Sequence, residues 1–599
     1  MATAQQLRDV LLAYTIQTNS DLGCFTDPNM KALLPTLAPA TLRNIGDRTA
    51  MKAHLNETFP AKKALVKLQM QKTLTKIHLS YDLSTSPDDN AILAVSAHFL
   101  DDNGIPQQRL IALRQQYGTS GNDIAKALRE VITEWDLESH IGCVMSDGAS
   151  NKDSSAEVLF QSLNPEYEKQ DAIERYLYCY RHAFSLIGRV ALYGEDFEAF
   201  ERASQRLNCE GLSDDLLSLW RRRGPIGKLH NLVMWVRSSP QRKQLFNSTV
   251  PEAQDSGLDI LLASVSTLEQ QLVLNDSTRW RSTFLMIRRA LAQRDHIKVF
   301  IAKNASEVEA TLQVPKEDRL DDQDWLVLDE LHPVLTPLYE LASSAPASVP
   351  SAYGNHALWE TLTCIEYIHK GLRPWIKLFG HGTIHPCLPA SQPHPRQAIR
   401  DRQAAAQCAD RYSRLEASSQ AHLRVSIMNG WSKLNEYFES LEKSPLYAAA
   451  VILHPGLGTK CLPGFWAQTD TAVNDLHRYR HNWYQNGATG PKLRAGSQSV
   501  PFSAELEQYI RPGEWQSEGG FDNPIQWWMR NRGKFPTVSK LALDILAIPA
   551  NTVDCARALE ASKLTMASQC EEMAPDTLEK VECLRNWLYR SAVVMGGLN

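Results

Sequence analysis

The sequence predicts a mixed α/β core, interrupted by a large helical region and completed by further helices near its C-terminus. Three observations lead there. Apolar, β-branched runs alternate with turn signals between residues 76 and 180. Helical spacing of apolar residues dominates from about 183 to 500. Long helical patterns then resume over the last hundred residues. A chain of 599 residues is long enough for several domains and a large core.

Residues 1–70 alternate short helical patterns with turns such as Asp27-Pro28-Asn29 and Leu34-Pro35. Ile77–Leu83 reads as a strand. Ala91–Leu100 is a longer apolar strand, stopped by Asp101-Asp102-Asn103-Gly104, a strong hairpin signal. Arg109–Leu113 continues as a third strand. Asn122 to Trp135 is an amphipathic helix with Ile124, Ala127, Leu128, Val131 and Ile132 on one face. His140–Met145 is a fourth strand, Asp153–Leu163 a helix, and Tyr176–Tyr180 a short strand. Three consecutive antiparallel strands followed by helix-linked strands are the order of an RNase H-like mixed sheet. The Pro-rich stretch 384–395 and the Gly/Ser/Pro-rich stretch 487–501 read as loops or linkers. The predicted division is an N-terminal helical region at 1–70, the first part of the core at 71–190, a helical insertion at 191–500, and completion of the core at 501–599.

Asp82 and Asp147 each stand at the end of one of these apolar runs. The strand order places the first and fourth strands side by side, so the two carboxylates meet at one end of the sheet. Carboxylates brought together are costly unless a cation neutralises them. Two acids at strand ends can hold Mg²⁺ or Mn²⁺ for phosphoryl transfer on nucleic acid. The alternative is that each Asp caps a following turn.

The residues around this pair resemble hAT superfamily DNA transposases. The resemblance runs through Tyr81-Asp82-Leu83-Ser84-Thr85-Ser86, Ser146-Asp147-Gly148-Ala149-Ser150-Asn151, Arg175 with Cys179-Tyr180-Arg181-His182, and Asp276-Ser277-Thr278-Arg279-Trp280-Arg281-Ser282. It continues through Tyr447 with Leu453-His454-Pro455 and the tail from Trp527 to Leu588. It implies an RNase H-like catalytic core split by a helical insertion, a C-terminal dimerisation region, DNA as partner, a homodimer or higher oligomer, and a nuclear location. It also implies a third acid, a Glu in a C-terminal helix. The matching segment aligns through Pro549, Arg557 and Lys563-Leu564, and the Glu position is Ala556. Glu560 lies about one helical turn further, about 5–6 Å along the axis, as a weak substitute. Asp554 points to another face. Ser84 stands where the family carries Trp, and Gln569-Cys570-Glu571-Glu572 where it is often basic. The family's zinc-binding BED finger has no counterpart before Asp82, where only Cys24, His54 and His78 occur.

The resemblance gives Arg279 and Trp280 a DNA-binding role, a phosphate contact and a base-stacking ring. Read alone, Trp280 is a core residue and Arg279 a helix cap. Cys179 and His182 read as a core motif, since no second pair stands at zinc-finger spacing. His381, His385, Cys387 and His394 read as solvated loop residues. Trp527, Trp528, Leu584 and Trp587 carry helical spacing; alone they read as core, and the resemblance adds burial between chains. Three functions follow: a dimeric, DNA-binding but catalytically degraded transposase-like protein, an active cut-and-paste transposase, and a protein-interaction module. The first is the one predicted, with any Mg²⁺ or Mn²⁺ weakly held.

Charge and composition fit an intracellular, non-membrane protein. Net charge is −5 and the pI about 6.4, which excludes a uniformly basic coat and leaves local clusters at Arg221-Arg222-Arg223, Arg288-Arg289 and 396–402. Eleven cysteines without framework spacing predict a reducing compartment. No signal-peptide pattern or membrane-length apolar run is present, and no dense basic run marks nuclear import.

Overall fold

The computed structural model describes residues 4–37, 47–85, 91–147, 152–208, 213–249, 280–307, 313–343, 357–380, 395–458, 476, 501–511, 523–568 and 573–595. It divides into two compact units. The first comprises Met1–Tyr180, Pro346–Leu362 and Glu439–Asn599; the second comprises Arg181–Ala345 and Thr363–Phe438.

The first unit is built on a five-stranded sheet in the order β3-β2-β1-β4-β5. The strands are β1 (Ile77–Thr85), β2 (Ala91–Leu100), β3 (Pro106–Gln116), β4 (Ile141–Ser146) and β5 (Tyr176–Tyr178). The first three pair antiparallel; β4 joins β1 in parallel and β5 joins β4 in parallel. This is the RNase H-like sheet the sequence predicts. β5 is shorter than expected because Tyr180 already opens the helix Tyr180–Tyr193.

The β2–β3 hairpin turns where expected. Asp101 Oδ1 accepts from the amides of Asn103 (3.0 Å) and Ile105 (2.9 Å). Gly104 has φ +72°, and a Cβ there would lie 2.7 Å from the Met529 side chain. Only glycine satisfies both the left-handed backbone and the close packing. The helix Gly121–Glu134 starts with a capping box in which Ser120 and Asp123 bond reciprocally. Its buried Ile124, Leu128, Val131 and Ile132 share a core with Leu79 and Tyr81 of β1.

Segments distant in sequence close both edges of the sheet. On β3, the Leu110 amide donates to Asn586 Oδ1 (2.9 Å), and the Leu110 carbonyl accepts from Trp587 Nε1 (2.9 Å). On β5, the Tyr178 amide donates to the Tyr447 hydroxyl (2.9 Å). Unpaired strand edges template aggregation, so side chains that occupy them protect the sheet as well as stabilise it. Trp528 Nε1 donates to the Leu453 carbonyl (2.7 Å) and the Tyr509 hydroxyl to the Ile452 carbonyl (3.1 Å), tying the helix Leu446–Ile452 to the C-terminal region. These bonds explain why the first unit resumes at Glu439, earlier than the predicted end of the insertion at 500. The N-terminal helices Ala4–Thr18 and Arg48–Gln71 also bury Leu12, Ile16, Leu55 and Val66 in the sheet's core.

The second unit is helical. Trp220 stacks on His230 at 3.7 Å between centroids and packs edge-on against Phe200 and Tyr193. Arg221 pairs with buried Asp318 (2.6 Å) and Arg223 with Asp196 (3.0 Å), so two of the three arginines in that cluster are structural.

Candidate active site

Parallel pairing of β1 with β4 sets Tyr81 opposite Ser146. One residue on, Asp82 and Asp147 therefore come together at the C-terminal end of both strands. Asp82 is 9% exposed and accepts from the Leu83 amide at 2.8 Å. Its carboxyl is held well above the usual range, first by burial, then by the Asp147 charge and a hydrogen bond with the Asp147 side chain. Two carboxylates so close share a proton in the absence of a cation. The Lys563 charge opposes this shift.

The helix Val553–Ser568 crosses the same sheet. The Cys555 thiol donates to the Ser80 carbonyl (3.2 Å), and the Ser80 hydroxyl in turn contacts His98 Nε2 (2.8 Å). Burial pushes the Cys555 thiol up to about 12. The residue after this anchor is Ala556, whose methyl is exposed. Glu560 is exposed one turn later. Asp554 is engaged elsewhere, 3.1 Å from Arg590 and 4.0 Å from Arg557.

These residues do not make a three-carboxylate metal site. Ala556 supplies no donor, and among the described residues no group of three His, Cys, Asp or Glu side chains could hold a metal ion. Asp82 and Asp147 are the two carboxylates that the strand register brings together.

The other predicted site residues fall into different settings. Cys179 is buried beside Asp147: its amide donates to the Ser146 carbonyl (2.9 Å) and its sulfur accepts from the Thr552 hydroxyl (3.7 Å). His182 belongs to the second unit. Arg279 lies outside the described residues, as do Gln569-Cys570-Glu571-Glu572 and the 381–394 cluster. Trp280 takes the core position that its helical spacing alone implies. It is 2% exposed, and its ring lies where a Cβ on Gly188 would meet it at 2.7 Å. It packs in the second unit's core, out of reach of a base in this conformation. Trp527, Trp528, Leu584 and Trp587 do the same. All are 3% exposed or less within one chain, where the tryptophans meet Tyr509, Phe535, Phe59 and Trp135. They form core within one chain. The Cys555 anchor and Lys563 had no assigned role in the sequence reading, although both lie within the segment aligned around Ala556.

Family comparisons agree with this architecture. The hAT family C-terminal dimerisation region matches residues 505–588, the ZBED1 RNase-like domain residues 80–172, and the ZBED1 RNase-like helical domain residues 184–333. The chain is a hAT-family transposase-like protein. It is 19% identical over 566 residues to the "Putative AC transposase" of Zea mays, covering 91% of this chain and 61% of that protein. It is 24% identical over 322 residues to the "Putative transcriptional regulator tpeD" of Talaromyces stipitatus, covering 52% of this chain and 33% of that one. It is 33% identical over 94 residues to the "Zinc finger BED domain-containing protein RICESLEEPER 3" of Oryza sativa subsp. japonica, covering 15% and 12%. Each match thus spans less than two thirds of the relative. No helix among the described residues is long and apolar enough to cross a membrane.

Proposed function

We propose that this hAT-family chain binds DNA as a homodimer in the nucleus and has lost strand transfer. The observation that carries this reading is Ala556. The Cys555–Ser80 contact sets the phase of the helix beside Asp82, and the position that the family fills with a carboxylate carries a methyl group. A methyl neither ligates a cation nor orients a water. Metal distances tolerate only tenths of an ångström, so Glu560, a full turn along, is no replacement without a shift of the helix.

Asp82 and Asp147 still support weak capture of one Mg²⁺ or Mn²⁺ ion, because a cation relieves the repulsion that otherwise holds a proton between them. Nicking of supercoiled plasmid in Mn²⁺ tests the reading. The wild-type chain is expected to leave the plasmid intact. Nicking that disappears in Asp82→Asn would instead identify an active cut-and-paste transposase. Failure to bind DNA at low salt, with dimerisation retained, would leave the protein-interaction reading.

A further inference from the structure

The helix Arg48–Gln71 has two apolar faces. One buries Met51, Leu55, Val66 and Met70 in the core of the first unit. The other carries Glu57, Ala61, Ala64, Leu65 and Leu68, all exposed, and ends on exposed Lys72 at the C-cap. Leu65 is 48% exposed and Leu68 51%. At 3.6 residues per turn these six positions fall in one stripe about 100° wide, where a surface helix ordinarily turns polar side chains to water. The lysines on the flanks of the stripe are turned to their own chain. Lys62 Nζ donates to the Val594 carbonyl (2.7 Å), and Lys67 pairs with Asp136 (2.8 Å).

The order of residues along the stripe is self-complementary. An antiparallel pair of these helices, related by a two-fold axis between Ala64 and Leu65, sets residues equidistant from that centre opposite each other. Leu65 of one copy then meets Ala64 of the other, and Leu68 meets Ala61, so each large side chain falls on a small one. Glu57 meets Lys72 at both ends of the contact, opposite charges that have no ion-pair partner among the described residues of their own chain. A parallel pairing would set like residue against like and lose both matches. Self-complementarity of one patch is the requirement of a two-fold dimer.

The helix is also fastened to the end of the region that matches hAT dimerisation. Phe59 stacks on Trp587 (5.3 Å between centroids, 19°), and Gln69 Nε2 donates to the Ala592 carbonyl (2.8 Å). Val594, 53% exposed beside Lys62, extends the apolar surface.

We propose that the stripe Glu57–Ala61–Ala64–Leu65–Leu68–Lys72 is a contact between two copies of this chain, paired antiparallel. The inference rests on the homodimer reading above and gives it a surface outside the matched residues 505–588.

The test is the dimer dissociation constant of the full-length chain, measured by sedimentation velocity. L65D/L68D is expected to raise it at least about tenfold, with unchanged circular dichroism because both positions are exposed. Glu57→Lys turns two opposite-charge pairs into like-charge pairs and is expected to raise it about fivefold. E57K/K72E restores opposite charges only in the antiparallel pairing, and is expected to return to within about twofold of wild type. A dimer unaffected by L65D/L68D, or a defect in Glu57→Lys that the second substitution does not rescue, overturns this surface and leaves the homodimer reading intact. A wild-type chain that is monomeric at every concentration overturns both and leaves the stripe to a partner other than a second copy.

Discussion

The Cys555 thiol donates to the Ser80 carbonyl at 3.2 Å, two residues before Asp82. This contact joins the C-terminal helix to the central strand, 475 residues apart. Cys555→Val keeps the volume and removes the donor, and is expected to cost about 1 kcal/mol in urea unfolding. Because burial holds the thiol up to about 12, Cys555 should resist alkylation at pH 8 in the native state and react after unfolding.

Asp82 should destabilise the fold at neutral pH. Its folded pKa is raised, so the stability linked to it is complete below the unfolded value of about 3.9 and is lost as pH rises through the folded value. Asp82→Asn removes that loss and is expected to raise Tm at pH 7 while leaving Tm near pH 4 unchanged. Millimolar Mn²⁺ should raise the wild-type Tm and not that of Asp82→Asn.

Buried histidines should make the fold acid-labile. His98 is lowered to about 4 and His78 to about 3, both chiefly by burial, and the two are register partners on β2 and β1. With folded pKa values depressed, their contribution is full above the unfolded value near 6.5 and is lost as pH falls from there towards 3–4. Urea midpoints should therefore drop between pH 7 and pH 5, and His98→Gln, which retains a partner for Ser80, should flatten that fall.

The closed edge of β3 predicts a graded pair of variants. Trp587→Phe loses the bond to the Leu110 carbonyl and is expected to cost about 1 kcal/mol. Trp587→Ala also empties a fully buried site and should cost about 3–5 kcal/mol, with increased aggregation on heating from the bared edge.

The region matched as hAT dimerisation keeps its four predicted contact residues inside the chain. Its exposed large apolar side chains, among the described residues, are Leu564 (65%) and Met566 (39%). If either meets a second copy, L564D/M566D should shift the chain towards monomer by light scattering without lowering Tm.

The sheet was legible because each strand announces itself by a β-branched run and a turn, as at Ala91–Leu100 before Asp101-Asp102-Asn103-Gly104. Strand order then brought Asp82 to Asp147, which the β1–β4 register repeats. Ala556 was legible only through the resemblance; nothing in helical spacing marks a missing acid. Helical spacing alone reads Trp280, Trp527, Trp528, Leu584 and Trp587 as core, which is where they lie; only the resemblance assigned them to a base or a second chain. Edge closure by Tyr447, Asn586 and Trp587 is a contact across hundreds of residues, and no local pattern records it.

The vacancy at Ala556 is tested most directly by restoring the acid. Ala556→Glu and wild type should be incubated with supercoiled plasmid in Mn²⁺, with A556E/D82N as the control. Nicking by Ala556→Glu alone, with wild type and the double variant silent, is the predicted result. Mn²⁺-dependent nicking by wild type that is abolished by Asp82→Asn would contradict it.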